Sequence, residues 1–249
     1  MRRMMSGRGM AVAAALVLGT TGFTTARAAS VLAKNGQKIA FMGDSITEAG
    51  AAPGGYVQLV ISGLEAAGVK ATAIPAGISG HKSNQMLERL QRDVLDKKPD
   101  WMTLSCGVND VWHGANGVPL EAYKQNITKI VEQCQSASVK VVILTSTMIG
   151  EDQPNGNNQK LMAYNDFLRK LAREKKCPLA DLNADMQALI KKAGPAKKGN
   201  LLTSDGVHMN PAGNRMMATG VLRAFGLSAA QLAAAQKHWD APPAAQPKK

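Results

Sequence analysis

Lys38-Ile39-Ala40-Phe41-Met42-Gly43-Asp44-Ser45-Ile46-Thr47 decides how the rest of the chain reads. Lys38–Met42 is a short, mostly apolar run that ends at a glycine, the pattern of a buried strand. Gly43-Asp44-Ser45 follows directly, so a serine hydroxyl is placed just beyond the carboxyl end of that strand.

Downstream, two kinds of segment alternate. Gly55–Ala67 carries Val57, Val60, Ile61 and Leu64 at helical spacing, and Ala71–Pro75 is a weak second strand. Met86, Leu90, Val94 and Leu95 form a helical stripe before the strand Trp101–Cys106. Ile127, Ile130 and Val131 mark a helix before the clearest strand, Val139–Thr145. A helix over about Gln159–Lys175 precedes a short fifth strand, Leu179–Leu182, and Pro211 and Gly213 open a last helix, Arg215–Phe225. Strands alternating with helices predict a parallel sheet covered on both faces. Right-handed crossovers then give a three-layer α/β/α sandwich with a five-stranded parallel sheet.

The chain has 249 residues with 45% hydrophobic and 19% charged, enough for one globular α/β domain. That domain is expected over 29–240. Arg2, Arg3 and Arg8, the apolar run from Met10 to about Gly19, and Ala26-Arg27-Ala28 read as a signal peptide over residues 1–28. The apolar run is too short for a bilayer span, and no cysteine stands at the cleavage point to carry a lipid. A secreted or periplasmic location without stable membrane insertion is therefore expected. The Pro/Ala-rich end, 241–249, is expected to be disordered.

Residues 1–28 hold four arginines and no acid, so their removal takes the formal net charge from +12 to +8. That balance favours anionic neighbours, but aromatics make up only 4% and the lysines are scattered, so no nucleic-acid partner is expected. Cys106, Cys134 and Cys177 match no zinc spacing. If strands four and five are neighbours, Cys134 and Cys177 lie at one edge of the sheet, and a bridge between them is expected, with two reduced buried thiols as the open alternative.

Four motifs lie at strand ends or in a late loop: Gly43-Asp44-Ser45-Ile46-Thr47, Gly77-Ile78-Ser79-Gly80, Gly107-Val108-Asn109-Asp110 and Asp205-Gly206-Val207-His208. In open parallel sheets, sites form at the carboxyl ends of strands. Any one of the motifs alone reads as a turn, a cap or a ligand pair; their order and placement together are specific. A serine hydroxyl needs a base to become nucleophilic, and His208 can serve. Asp205, three residues earlier, can fix its tautomer. The amides of Ser45 and Gly77 and the side chain of Asn109 are the right donors for a developing oxyanion. Asp44 is read as structural, holding the turn at Ser45.

With these segments the chain resembles the SGNH (GDSL-type) hydrolases, whose four naming residues fall on Ser45, Gly77, Asn109 and His208. The resemblance covers about residues 36–226. It implies a flavodoxin-like sheet, ester hydrolysis with no metal or other cofactor, and Asp205 as third member of a Ser-His-Asp triad. Met209 departs from the pattern, standing where many members have proline. Trp112, His113 and His81 are weaker substrate-binding candidates beside the motifs. Polar loops around Trp112 and His113, and export without an anchor, favour O-acetyl groups of a small or polymeric carbohydrate ester as substrate. A lysophospholipase or thioesterase activity, and a catalytically silent carbohydrate-binding protein on the same scaffold, stay open.

Overall fold

The computed structural model describes residues 31–194 and 199–241. The expected signal peptide and all but Ala241 of the expected tail lie outside the described residues.

Five strands form within a few residues of where the apolar runs place them: β1 (Lys38–Gly43), β2 (Thr72–Gly77), β3 (Trp101–Ser105), β4 (Lys140–Leu144) and β5 (Leu179–Ala180). All pair in parallel, in the order β2-β1-β3-β4-β5. The interior strands are buried almost throughout, as continuous apolar runs in a doubly covered sheet must be. Pro75 is tolerated because β2 is an edge strand, where a missing N–H costs no central ladder bond.

The crossovers α3 (Ser83–Asp93), α5 (Leu120–Ser136) and α6 (Gly156–Glu174) pack side by side. On the other face α2 (Tyr56–Ala66) packs against α8 (Pro211–Ala224), with α7 (Leu182–Ala193) and α9 (Ala229–Asp240) flanking. From β1 the chain turns one way to β2, then returns across β1 to β3. The carboxyl ends of β1 and β3 therefore flank the crevice at which such sheets bind ligands.

Four helices form where the sequence reading places none. Two are single turns or little more, α1 (Ser45–Gly50) and α4 (Val108–Trp112). The third, α7, shortens the expected fifth strand, because Asp181 accepts hydrogen bonds from Thr145 Oγ1 and the Ala184 amide and so starts a helix at Leu182. The fourth, α9, is alanine-rich and buries only Ala235 fully, but it has a Ser228–Gln231 capping box. It is tied down by Trp239 Nε1, which donates to the Leu59 carbonyl and Ser62 Oγ.

The expected Cys134–Cys177 bridge is corrected: all three thiols are free. Cys134 points into the core, 3.8 Å from Met102 Sδ, whereas Cys177 stays half-buried beside the Lys175 carbonyl and Gln135. Both residues lie at the same end of the sheet, but each thiol has its own neighbours. Burial pushes the Cys134 thiol up to about 12 and also raises Cys106. Without reductant, the denatured protein should therefore titrate as three thiols. In the native protein Cys177 should be modified first, with Cys106 and Cys134 reacting only as the fold opens; an alkylation time course read by mass spectrometry checks this.

Candidate active site

The strand end at Gly43 turns sharply. Asp44 Oδ1 accepts from the Ile46 amide (3.0 Å) and the Asp44 carbonyl from Thr47 and Glu48, so Ser45 opens α1 with its hydroxyl outside the sheet. Asp44 is only 2% exposed, and burial raises its carboxyl to about 6 despite the Ile46 hydrogen bond. It closes the turn, as the sequence reading expects of it.

The late loop folds back through Thr203 and Met209, which form an isolated antiparallel bridge, and the Ser204 amide donates to the His208 carbonyl at 2.8 Å. Inside this loop Asp205 Oδ1 accepts from the amides of Val207 (2.9 Å) and His208 (2.8 Å). That leaves Oδ2 to face His208 Nδ1 at 2.6 Å, and His208 Nε2 lies 2.8 Å from Ser45 Oγ. A carboxylate on Nδ1 fixes the proton there and turns the Nε2 lone pair to the serine. The His208 hydrogen bond, aided by the two amides, holds the Asp205 carboxyl at about 2. The two side chains remain 36% and 53% exposed, so the cleft is open.

Gly77 faces Gly43 in the β1–β2 register, and the Ile78 amide, rather than that of Gly77, donates to the Gly43 carbonyl. A Cβ at Gly77 would lie 2.2 Å from the Glu48 amide nitrogen, so the strand can come this close to α1 only as glycine. Gly107, at φ +135°, turns β3 into α4 and delivers Asn109 to the same crevice. Asn109 is buried, and its Nδ2 donates to the His81 carbonyl at 3.2 Å, which leaves the second amide hydrogen for a ligand.

The weaker candidates separate. His113 Nδ1 sits 3.0 Å from the Asn109 carbonyl, and Trp112 is 45% exposed on the rim beside it. His81 is drawn to Arg89, whose Nε donates to His81 Nδ1 at 3.1 Å.

Arg89 is a residue the sequence reading missed. Its guanidinium is buried and also donates to the carbonyls of Gly43 (2.8 Å) and Ala76 (2.9 Å) and to Asp93. The signal was a cation between Met86 and Leu90 on the apolar face of a helix. Glu151 was missed too: its carboxylate accepts from the Leu201, Leu202 and Thr203 amides and from Thr203 Oγ1, all within 2.7–2.9 Å. It anchors the segment leading to Asp205. Among the described residues, no three of His, Cys, Asp and Glu gather into a metal-binding group.

The family model of the GDSL-like Lipase/Acylhydrolase family matches residues 41–216. An acetylxylan esterase of Geobacillus stearothermophilus is 27% identical over 214 residues, covering 77% of this chain and 95% of that protein. The crystal structure of an acetyl xylan esterase, AlAXEase, superposes with a TM-score of 0.70 at 36% identity, covering 75% of this chain and 98% of that one. An uncharacterized lipoprotein of Bacillus subtilis (strain 168), YqeF, is 26% identical over 172 residues, covering 59% of this chain and 70% of that protein.

Two predictions come from this geometry. Glu151→Ala strips a buried acceptor from three amides and a hydroxyl, and should lower stability by about 2–4 kcal/mol and kcat by about 10- to 100-fold through displacement of the Asp205–His208 loop. Denaturant unfolding and steady-state kinetics check both. Asp205 has a folded pKa of about 2, below the ordinary 3.8, so its carboxylate adds stability above about pH 4 and loses it as the pH falls toward 2. The gap in urea midpoint between wild type and Asp205→Asn should therefore narrow from pH 5 to pH 2.

Proposed function

Because the chain belongs to the GDSL-like lipase/acylhydrolase family, and is thereby a carboxylic ester hydrolase, we propose that it removes O-acetyl groups from carbohydrate, with Ser45, His208 and Asp205 as its catalytic triad. The observation that carries this reading is the unbroken hydrogen-bond series from Asp205 Oδ2 through His208 to Ser45 Oγ, at 2.6 and 2.8 Å.

In this mechanism His208 Nε2 takes the Ser45 hydroxyl proton as Oγ attacks the acetyl carbonyl. The Ser45 and Gly77 amides and Asn109 Nδ2 receive the negative charge that develops on the carbonyl oxygen. Asp205 stabilises the imidazolium. His208 then returns the proton to the departing sugar oxygen, leaving an acetyl-serine and a free alcohol. A water, deprotonated by His208, attacks the acetyl-serine, and acetate leaves as Ser45 regains its proton.

The carbohydrate substrate is supported by the acetylxylan esterase relatives and by the cleft itself. His208 and Asp205 are open to solvent, and the loops around them, 77–84, 107–116 and 150–158, are rich in Gly, Ser, Asn and His. A long acyl chain needs an extended apolar groove, which such loops do not offer. Export is supported by the basic start, the apolar run and Ala26-Arg27-Ala28, and by the likeness to a lipoprotein.

Four measurements test the reading. Ser45→Ala and His208→Ala should lower kcat by about 10³ or more, and Asp205→Ala by less. Asn109→Ala should cut kcat by about 10²–10³ with little change in KM; an effect confined to KM would reduce Asn109 to a substrate clamp. Turnover of p-nitrophenyl esters should fall from acetyl to octanoyl, with acetate released from acetylated xylan. A steady rise toward octanoyl with no acetate from any glycan would transfer the assignment to lipid or thioester substrates. Failure of a fluorophosphonate probe to label Ser45 would favour a silent binding protein.

A further inference from the structure

Gln85, Glu88, Arg89 and Arg92 stand at spacings of three and four and so share one face of α3. With His81 just before the helix they line a groove of about 520 Å³, within the size range of small-ligand sites. Two hydrogen bonds tie this groove to the catalytic crevice: Asn109 donates to the His81 carbonyl, and Arg89 donates to the carbonyl of Gly43, two residues before Ser45.

The groove is polar, and the chemistry of each wall is fixed. Arg89 Nε can only donate, so His81 Nδ1 must be an acceptor without a proton. The neutral ring then carries its hydrogen on Nε2. Protonation of Nδ1 would set N–H against N–H beside a permanent cation, and desolvation together with Arg89 does lower the His81 pKa. Gln85 Oε1 accepts from the Lys82 amide, so the amide nitrogen is the end of Gln85 that can serve a ligand. Glu88 is an exposed acceptor, while Arg92 holds Asp93 at 2.7 Å. The groove thus offers His81 Nε2–H and the Gln85 NH₂ as donors beside Glu88 as acceptor. That alternation matches neighbouring hydroxyls on a sugar ring. The Glu88 carboxylate beside the Arg92 guanidinium leaves the groove no one-sided charge for an ion to answer, and an apolar chain would strand all three groups.

We propose that this groove is the saccharide subsite of the esterase, with His81 Nε2–H donating to a sugar oxygen and Glu88 accepting from a sugar hydroxyl. The proposal rests on the carbohydrate reading above and specifies where the sugar lies: on the α3 side of Ser45, next to the Asn109 amide. It also separates the two histidines chemically. His208 presents a lone pair and can act as a base; His81 presents an N–H and can only bind.

The test compares acetylated xylo-oligosaccharide with p-nitrophenyl acetate, whose leaving group carries no hydroxyl. In His81→Leu the ratio of kcat/KM for the saccharide to that for p-nitrophenyl acetate should fall about 3- to 10-fold, the worth of one neutral hydrogen bond, with the change in the saccharide KM. His81→Gln, which keeps a donor, should recover part of it. Glu88→Ala, at an exposed position where folding is not at stake, should lower the same ratio. An unchanged ratio in both His81→Leu and Glu88→Ala overturns the subsite. Equal losses of kcat on both substrates in His81→Leu also overturn it, and would make His81 a support for Asn109. If the wild type hydrolyses p-nitrophenyl acetate but releases acetate from no saccharide, the carbohydrate reading itself falls.

Discussion

The close approach of two strand ends governs this molecule. Gly43 and Gly77 face each other where β1 and β2 stop, and the chain beyond Gly43 turns back so tightly that the Glu48 amide nitrogen occupies the space of a Cβ on residue 77. Strand ends so close turn backbone carbonyls into a confined volume, and buried carbonyls need donors. Arg89 joins the Ile78 amide in supplying them, binding the Gly43 and Ala76 carbonyls with one guanidinium. A lysine could not span both with a planar fork. The same side chain fixes the His81 tautomer, and the His81 carbonyl holds Asn109. Ser45, the Gly77 amide and Asn109 thus owe their mutual placement to one steric constraint and one buried cation.

Most of the fold was legible because buried parallel strands are continuous apolar runs, and five such runs separated by helical stripes leave few topologies. The candidate site was legible because Ser45, Gly77, Asn109, Asp205 and His208 each follow a strand or sit in a short glycine-bearing motif. What escaped falls into two groups. Helices α1, α4 and α9 are too short or too alanine-rich to carry a period. Arg89 and Glu151 act on backbone atoms distant in sequence: a cation on the apolar face of α3 marks Arg89 without naming its partners, and no local pattern marks Glu151, whose partners lie some fifty positions on. The Cys134–Cys177 expectation failed for a related reason: topology brings the two residues to the same end of the sheet, but the inward or outward turn of each side chain is a packing outcome.

Charge is distributed with the same division. Lys38, Lys70, Lys97, Lys98, Lys140, Lys175 and Lys176 all stand in or beside the segments that enter the strands, at the edge opposite Ser45. The edge that carries Ser45 is different. Nearly every loop there is closed by a carboxylate that accepts backbone amides: Asp44 from Ile46, Glu48 from Ser79, Asp110 from Ser83, Glu151 from three successive residues, and Asp205 from Val207 and His208. A carboxylate is suited to this because it has only acceptors and can take several amides at once. These acids are therefore occupied by the fold before any ligand arrives.

That occupation explains why similar acids take up different roles. Asp44 and Asp110 are buried; burial lifts both above the ordinary carboxylate range, and the charge of Asp110 raises Asp44 further. Neither can hold a charged base in place across neutral pH as firmly as a carboxylate kept near 2. Asp205 is exposed, with its second oxygen against an imidazole and two amides on the first. Water and hydrogen bonds keep it ionised where burial would neutralise it. The loop that leaves Asp205 open to solvent is the same one that Glu151 pins from beneath. An exposed, ionised carboxylate is compatible with an ordered loop because the loop is held around it: Glu151 pins the residues before it, the Thr203–Met209 bridge closes it, and the Gly150 amide holds the Gly206 carbonyl.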